Sequence, residues 1–355
     1  MNMLAQVAVN PTLGVSIFVL GGLAGAVFYL PLKKVKLWAW ESYWLIWALF
    51  GLVIVPVILA FATSPNWIAV VRQAPSNEVL YCYLCGAAWG LGGLTWGLMI
   101  RYLGFGLGLA LGCGLCSAAG TVVPRMLKGE FMTLFQSASG RASLAAAAIS
   151  LIGIVLVGAA GMSKEKELPE EQKKKAVAEY NFKKGLLIAI FSGIMSAGMS
   201  FGLQGGPTLQ KLAGTVQPST SGTWQGIPVL VVVLLGGFTI NALWCLFLNA
   251  KNKTFGDYAK KDAPVLGNIF FGAIAGAIWT CQFIAFKTGE PAMGTLSYIG
   301  WAVLMASTIM FSGILGLALG EWKGTSGKTQ RFLYLGLALL LLSAVMAGYS
   351  GSLPQ

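Results

Sequence analysis

Residues 163–184 read SKEKELPEEQKKKAVAEYNFKK, and the division of the chain turns on them. Seven lysines and five glutamates crowd around Pro169, in a chain of 355 residues that is 56% hydrophobic and only 10% charged. A mixed-sign run of this kind reads as a solvated connector, partly helical after Pro169. The sequence on either side of it is apolar, and the mean hydropathy of the whole is +0.74. Soluble domains carry about 25% charged residues, so the composition is that of an all-α protein crossing a bilayer many times.

A helix needs about 20 predominantly apolar residues to span hydrocarbon. Intervals of that kind lie near 12–31, 44–63, 79–100, 104–124, 141–161, 184–204, 227–248, 266–287, 293–319 and 331–350. Ten transmembrane helices are expected, five in a first half (1–162) and five in a second (185–355), joined by the connector 163–184. The runs are continuous rather than alternating, and they are too long for barrel strands of about 10 residues. No Lys or Arg precedes the first run. A cleaved leader needs such a positive region, so Pro11–Leu30 is expected to be a retained span.

Charge sets the orientation. With the N-terminus outside, the inward loops hold Lys33, Lys34 and Lys36, then Arg101, the seven lysines of 164–184, four between 251 and 261, and Lys323, Lys328 and Arg331. These are eighteen of the 24 basic residues. Both termini are therefore expected on the outer side. The net charge of +12 sits in short clusters between apolar runs, which is an anchoring pattern and gives no reason to expect nucleic acid as a partner.

The halves resemble each other. GAAWGLGGLTWGLMIRY (86–102) lies over GAIAGAIWTCQFIAFKT (272–288), pairing Trp96 with Gln282 and Arg101 with Lys287. Glu130 and Arg141 match Glu321 and Arg331 in the same order. A five-helix unit is odd in number, so two copies run in opposite senses. Such inverted repeats are a common transporter design, with the substrate near the midplane between halves.

FYLPLKKVKLWAWE (28–41), followed by AWGLGGLTWGLMIRYLGFGLG (88–108), resembles the bacterial L-rhamnose–proton symporter family of the drug/metabolite transporter superfamily. YNFKKGLLIAI (180–190), SGIMSAGMSF (192–201), INALWCLF (240–247) and Trp279-x-x-Gln282-Phe283 extend the likeness over nearly the whole chain. The resemblance implies ten helices in two inverted halves and uptake of a 6-deoxy sugar with protons across the bacterial inner membrane, with both termini periplasmic. The family's Asp before the tyrosine that opens span nine is replaced here by Ser297, in TLSYIGW.

A neutral sugar asks for apolar surfaces against its C–H faces and polar groups for its hydroxyls. Trp89 and Trp96 share a face of span three, with Gly93 between them; Trp279 and Gln282 lie three apart on span eight. Gln204, Asn241 and Gln282 are amides inside spans, where polar groups need partners or a cavity. Ser297, Tyr298 and Trp301 add to the candidate wall from span nine. For each tryptophan the plain alternative is packing or an interfacial belt, and Trp38, Trp40, Trp44, Trp67 and Trp322 are assigned to the belt. For the amides it is an interhelical hydrogen bond.

Proton coupling needs a group that can lose and regain a proton. Glu41 follows the Trp38/Trp40 pair with Lys33 and Lys34 nearby, so it is either the proton carrier or half of an interfacial ion pair. Glu290, in KTGEPAMG, is the second candidate. Sodium held by hydroxyls and carbonyls, or uncoupled passage, stays open. The chain has no histidine, and its two C-x-x-C pairs, Cys82/Cys85 and Cys113/Cys116, lie inside apolar runs where they read as packing. No paired carboxylates, metal cluster, cofactor motif or nucleophile–base set is evident, so no enzyme is expected. GFGLG (104–108) lacks the strand and the Lys-Ser/Thr of a phosphate loop. The ladders Gly104/Gly108/Gly112 and Gly198/Gly202/Gly206 read as close helix packing.

Overall fold

In a computed structural model, which describes residues 9–103, 105–127, 129–167, 181–320 and 322–354, the chain is helical, with no strand among the described residues. The middle of the connector and the helix expected after Pro169 lie outside that range, as do Gly104 and Glu321 and the side chain of Arg101. The long helices are α1 (Pro11–Val27), α2 (Trp40–Thr63), α3 (Ser76–Leu103), α4 (Phe105–Leu127) and α5 (Ala138–Glu167). After the connector come α6 (Phe182–Gln204), α7 (Ile227–Asn252), α8 (Val265–Met293), α9 (Gly300–Ala318) and α10 (Gly327–Ser350). Among the described residues, seven helical stretches are long and apolar enough to cross a membrane, one of them the 54-residue run Val265–Ala318 that holds both α8 and α9.

Polar residues set several helix starts. Asn10, Asn181 and Ser326 each accept a hydrogen bond from the backbone N–H three residues on, the usual N-cap arrangement, and Pro11 occupies the first position of α1, where its missing N–H costs nothing. At α10 the cap is doubled: Glu167, at the end of α5, accepts from Ser326 N at 2.7 Å and from the hydroxyls of Ser326 and Thr329. Span nine, expected from 293, begins later. The α8 helix runs through Pro291 to Met293, Gly294 turns the chain with φ 55°, and a 3₁₀ turn over Gly294–Ile299 precedes α9. Ser297 and Tyr298 lie on that turn.

The helices meet at backbone distance where glycine permits it. A Cβ on Gly86 of α3 would lie 1.8 Å from Val233 O of α7, and one on Gly276 of α8 would lie 2.6 Å from Trp47 O of α2. Pro56 cannot donate a backbone hydrogen bond, and α2 passes the residues before it as a π-turn, Phe50–Ile54. Within that turn Gly51 O accepts from Thr280 Oγ1 of α8 at 2.5 Å. In the second ladder, Gly198 seats α6 against Cys85 of α3. Cys82, Cys85, Cys113 and Cys116 are free thiols on α3 and α4.

Both ends of the bundle are tied by buried polar groups. At the lysine-rich end, Asn268 is fully buried and clasps the Lys36 peptide, donating to its carbonyl at 2.8 Å and accepting from its N–H at 3.0 Å. Asp257 accepts there from Ala39 N at 2.7 Å and Ser42 Oγ at 2.8 Å. At the other end Asn66 donates to Ala213 O at 2.8 Å and Val216 O at 2.7 Å, tying the α2–α3 connection to the short helix Pro207–Thr215.

Candidate functional site

Four tryptophans from α2, α3 and α8 converge. Trp44 and Trp47, three apart on α2 and so neighbours on its surface, stack at 4.3 Å. Trp279 of α8 stands edge-on to Trp47 at 5.1 Å and lies 5.1 Å from Trp89 of α3. Phe283, one turn along α8, continues the chain of rings from Trp279 at 4.6 Å to Trp301 of α9 at 6.3 Å. Gly237 of α7 makes room, since a Cβ there would lie 2.6 Å from the Trp89 ring.

The polar atoms of this cluster are few and fixed. Trp44 donates its indole N–H to Asn241 Oδ1 at 3.0 Å, and Asn241 donates to Gly237 O at 2.9 Å. Trp301 donates to Cys116 O at 3.2 Å. Trp47 is 2% exposed and its indole N–H has no partner. Leaving such a donor unmet costs about 1–3 kcal/mol. Trp38 and Trp67 also have unpaired indole N–H groups, but of the three only Trp47 belongs to the central cluster. The arrangement offers flat apolar faces and, in Trp47, a fully buried indole N–H without a partner. It suits a ligand with C–H faces and hydroxyls.

Of the residues expected at the site, Trp89, Trp279 and Asn241 come together here, and Trp301 joins through Phe283. Trp96 instead donates to Ser196 Oγ of α6 at 2.9 Å. Gln204 donates to Ser200 Oγ at 2.6 Å and to Gly120 O at 3.4 Å, an α6–α4 link. Gln282 is buried with its Oε1 directed at α1 and α9: a Cβ on Gly25 would lie 2.6 Å from it and 2.9 Å from Thr308 Oγ1. Three apart, Trp279 and Gln282 share a side of α8, yet the Trp279 ring packs on Trp47 and Trp89 while the Gln282 amide reaches toward Gly25 and Thr308. Tyr298 pairs its hydroxyl with Ser143, and the Arg125 guanidinium lies 4.6 Å from its ring centre. Ser297 is half-buried beside it.

The coupling candidates sit at opposite ends. Glu41 is 5% exposed and accepts from Asn252 Nδ2 and Thr254 Oγ1, both at 2.9 Å and both neutral donors at the end of α7. The Lys34 ammonium rests 5.8 Å from the Phe271 ring centre, and Lys33 lies in the same turn. Glu290 is ion-paired with Lys287, which is buried and also donates to Leu203 O at 3.0 Å and Gln210 Oε1 at 3.2 Å.

Sequence reasoning missed Trp47 and assigned Trp44 to the interfacial belt. The signal was present in the spacing: Trp40, Trp44 and Trp47 fall at intervals of four and three, one face of a helix, and in the structure the first two rings also stack, at 5.1 Å. Lys287, read at a span end, is buried, and Glu290 three residues on is the partner that makes this tolerable.

Residues 7–352 match the family described as L-rhamnose-proton symport protein (RhaT). A Cronobacter sakazakii protein named L-rhamnose-proton symporter is 30% identical over 341 residues, covering 95% of this chain and 97% of its own. Relatives of the same name from Escherichia coli and Klebsiella pneumoniae are 30% and 29% identical over the same shares. With its several apolar helices and this match over nearly its full length, the chain is a multi-pass membrane protein that belongs to the L-rhamnose-proton symport family.

Proposed function

We propose that this protein imports L-rhamnose, or a related 6-deoxy sugar, together with protons across the bacterial inner membrane by alternating access. The observation that carries the reading is the ring cluster of Trp44, Trp47, Trp89 and Trp279 with the buried, unmet N–H of Trp47. The indole faces take the C–H surfaces and methyl group of the sugar, and Trp47 Nε1 donates to a hydroxyl. Asn241 holds Trp44 in place. Trp96, Gln204, Gln282, Ser297, Tyr298 and Trp301 act around this core by fixing how the helices sit. Lys287 keeps its charge neutralised by Glu290, which favours an uncharged substrate.

The ten-span, two-copy architecture is part of the same reading, with 1–162 and 185–355 as the halves. Reciprocal packing supports it. Gly86 and Gly90 seat α3 on α7, while Gly272 and Gly276, aligned with them in sequence, seat α8 on α2. Likewise α6 lies along α3 as α1 lies along α8. In this frame the lysine-rich end is cytoplasmic, both termini are periplasmic, and the two polar ties are gates that open in turn.

Energetics favour Glu41 over Glu290 as the proton carrier. Protonating Glu290 leaves the buried Lys287 ammonium without its counter-charge, and breaking such a pair costs about 3–5 kcal/mol. Glu41 accepts from neutral donors, so a proton there breaks neither of those contacts' charge balance. The direct test is equilibrium binding of labelled L-rhamnose to the purified protein. Saturable binding, competed by unlabelled sugar and lost in Trp279→Ala, is expected; absence of competable binding in the unaltered protein contradicts the substrate assignment.

A further inference from the structure

A cleft of about 360 Å³ lies away from the ring cluster, between the short helix Trp67–Gln73 and the first turns of α3 and α7. That volume is within the range of small-molecule sites, about 300–1,000 Å³. Its walls are apolar, formed by Val71, Val79, Leu80, Val232 and Leu235, and Arg72 stands in its lining. Leu80 is 55% exposed, so the cleft opens on the outside of the bundle. Its position, between the end of α2 and the start of α3, is where a membrane chain passes from hydrocarbon to water.

The chemistry of the lining selects its occupant. Tyr83 borders the cleft, but its hydroxyl is already paired with Thr239 Oγ1 at 2.7 Å. The carboxylate of Glu78, on the same turn of α3, accepts from Leu209 N at 2.8 Å. What remains is an apolar trough with two polar side chains at its rim, the exposed Arg72 and Ser76. A sugar would find too few hydrogen-bonding groups there. An acyl chain fits the walls, and a phosphate is the natural partner of arginine.

We propose that this cleft binds an anionic phospholipid, with one acyl chain between α3 and α7 and the phosphate on Arg72. The short helix that carries Arg72 begins immediately after Asn66, which ties this end of the bundle. The lipid would therefore brace that tie from the membrane side.

Native mass spectrometry of the full-length protein tests this, with phosphatidylglycerol, phosphatidylcholine or inorganic phosphate added. One phosphatidylglycerol should be retained in preference to phosphatidylcholine. Arg72→Gln should weaken that preference about tenfold or more, the value of a charge-assisted contact. Val79→Phe, which fills the trough, should reduce retention of both lipids. Arg72→Gln alters an exposed residue and keeps the test valid if Val79→Phe fails to fold. Equal retention of the two lipids, an unchanged preference in Arg72→Gln, or displacement of the lipid by inorganic phosphate alone would overturn the proposal.

Discussion

The indole N–H of Trp44 on α2 donates to Asn241 Oδ1 on α7 across 3.0 Å, a bond joining a helix before the connector to one after it. Both residues are part of the ring cluster, so this bond sets the position of Trp44 and, by the 4.3 Å stack, that of Trp47. Removing the amide leaves a polar group of the cluster without its partner. Asn241→Ala should lower stability by about 1–3 kcal/mol, read as a fall in Tm in detergent. An unchanged Tm would mean that the bond does no positioning.

The neighbouring ring makes a different prediction. Trp47→Phe removes an N–H that has no partner in this structure while keeping an aromatic face. The smaller ring leaves a cavity, which the loss of the unmet donor partly offsets, so stability should fall by less than in Trp47→Ala. Sugar affinity should fall, with KM for L-rhamnose rising about tenfold and the maximal rate changing less, as loss of one hydrogen bond to the substrate implies. Unaltered KM would remove Trp47 from the binding surface.

Lys287 and Glu290 give a test of structure rather than transport. Glu290→Ala strands the buried ammonium and should cost about 3–5 kcal/mol. Adding Lys287→Met removes the stranded charge and should restore most of the loss. Chemical denaturation or thermal unfolding of the two variants decides it. A single variant as stable as the parent would show that the ammonium is not confined as the geometry indicates.

Glu41→Gln separates charge from shape. The side-chain amide oxygen can still accept from Asn252 or Thr254, so the tie at the lysine-rich end should persist. Proton-driven accumulation should be lost while exchange of internal for external sugar survives. Full accumulation in this variant would move the coupling role elsewhere.

The helical segments were legible in apolar length, and the placing of Trp89 and Trp279 near one another came from the likeness of 86–102 to 272–288, which is a relation between distant stretches. Three features were not. Trp44 looks interfacial because Lys33–Lys36 precede it, Trp47 carries no sign of a site beyond its spacing from Trp44, and only the fold turns their shared helix face inward against α8. Trp96 shares a face with Trp89 but lies two turns away, where Ser196 of α6 takes its N–H. Gln282 looked like a partner of Trp279, yet the small residue Gly25 on α1 draws its amide to another seam. In each case the deciding neighbour is distant in sequence, which no pattern within one helix reports.

The central claim is coupled sugar import, and proteoliposomes address it most directly. Labelled L-rhamnose uptake would be followed under an imposed pH gradient, under a sodium gradient, and with neither. Accumulation above equilibrium with the pH gradient alone, absent with sodium, is the result this account predicts. Accumulation driven by sodium, or no L-rhamnose entry under any gradient, would contradict it.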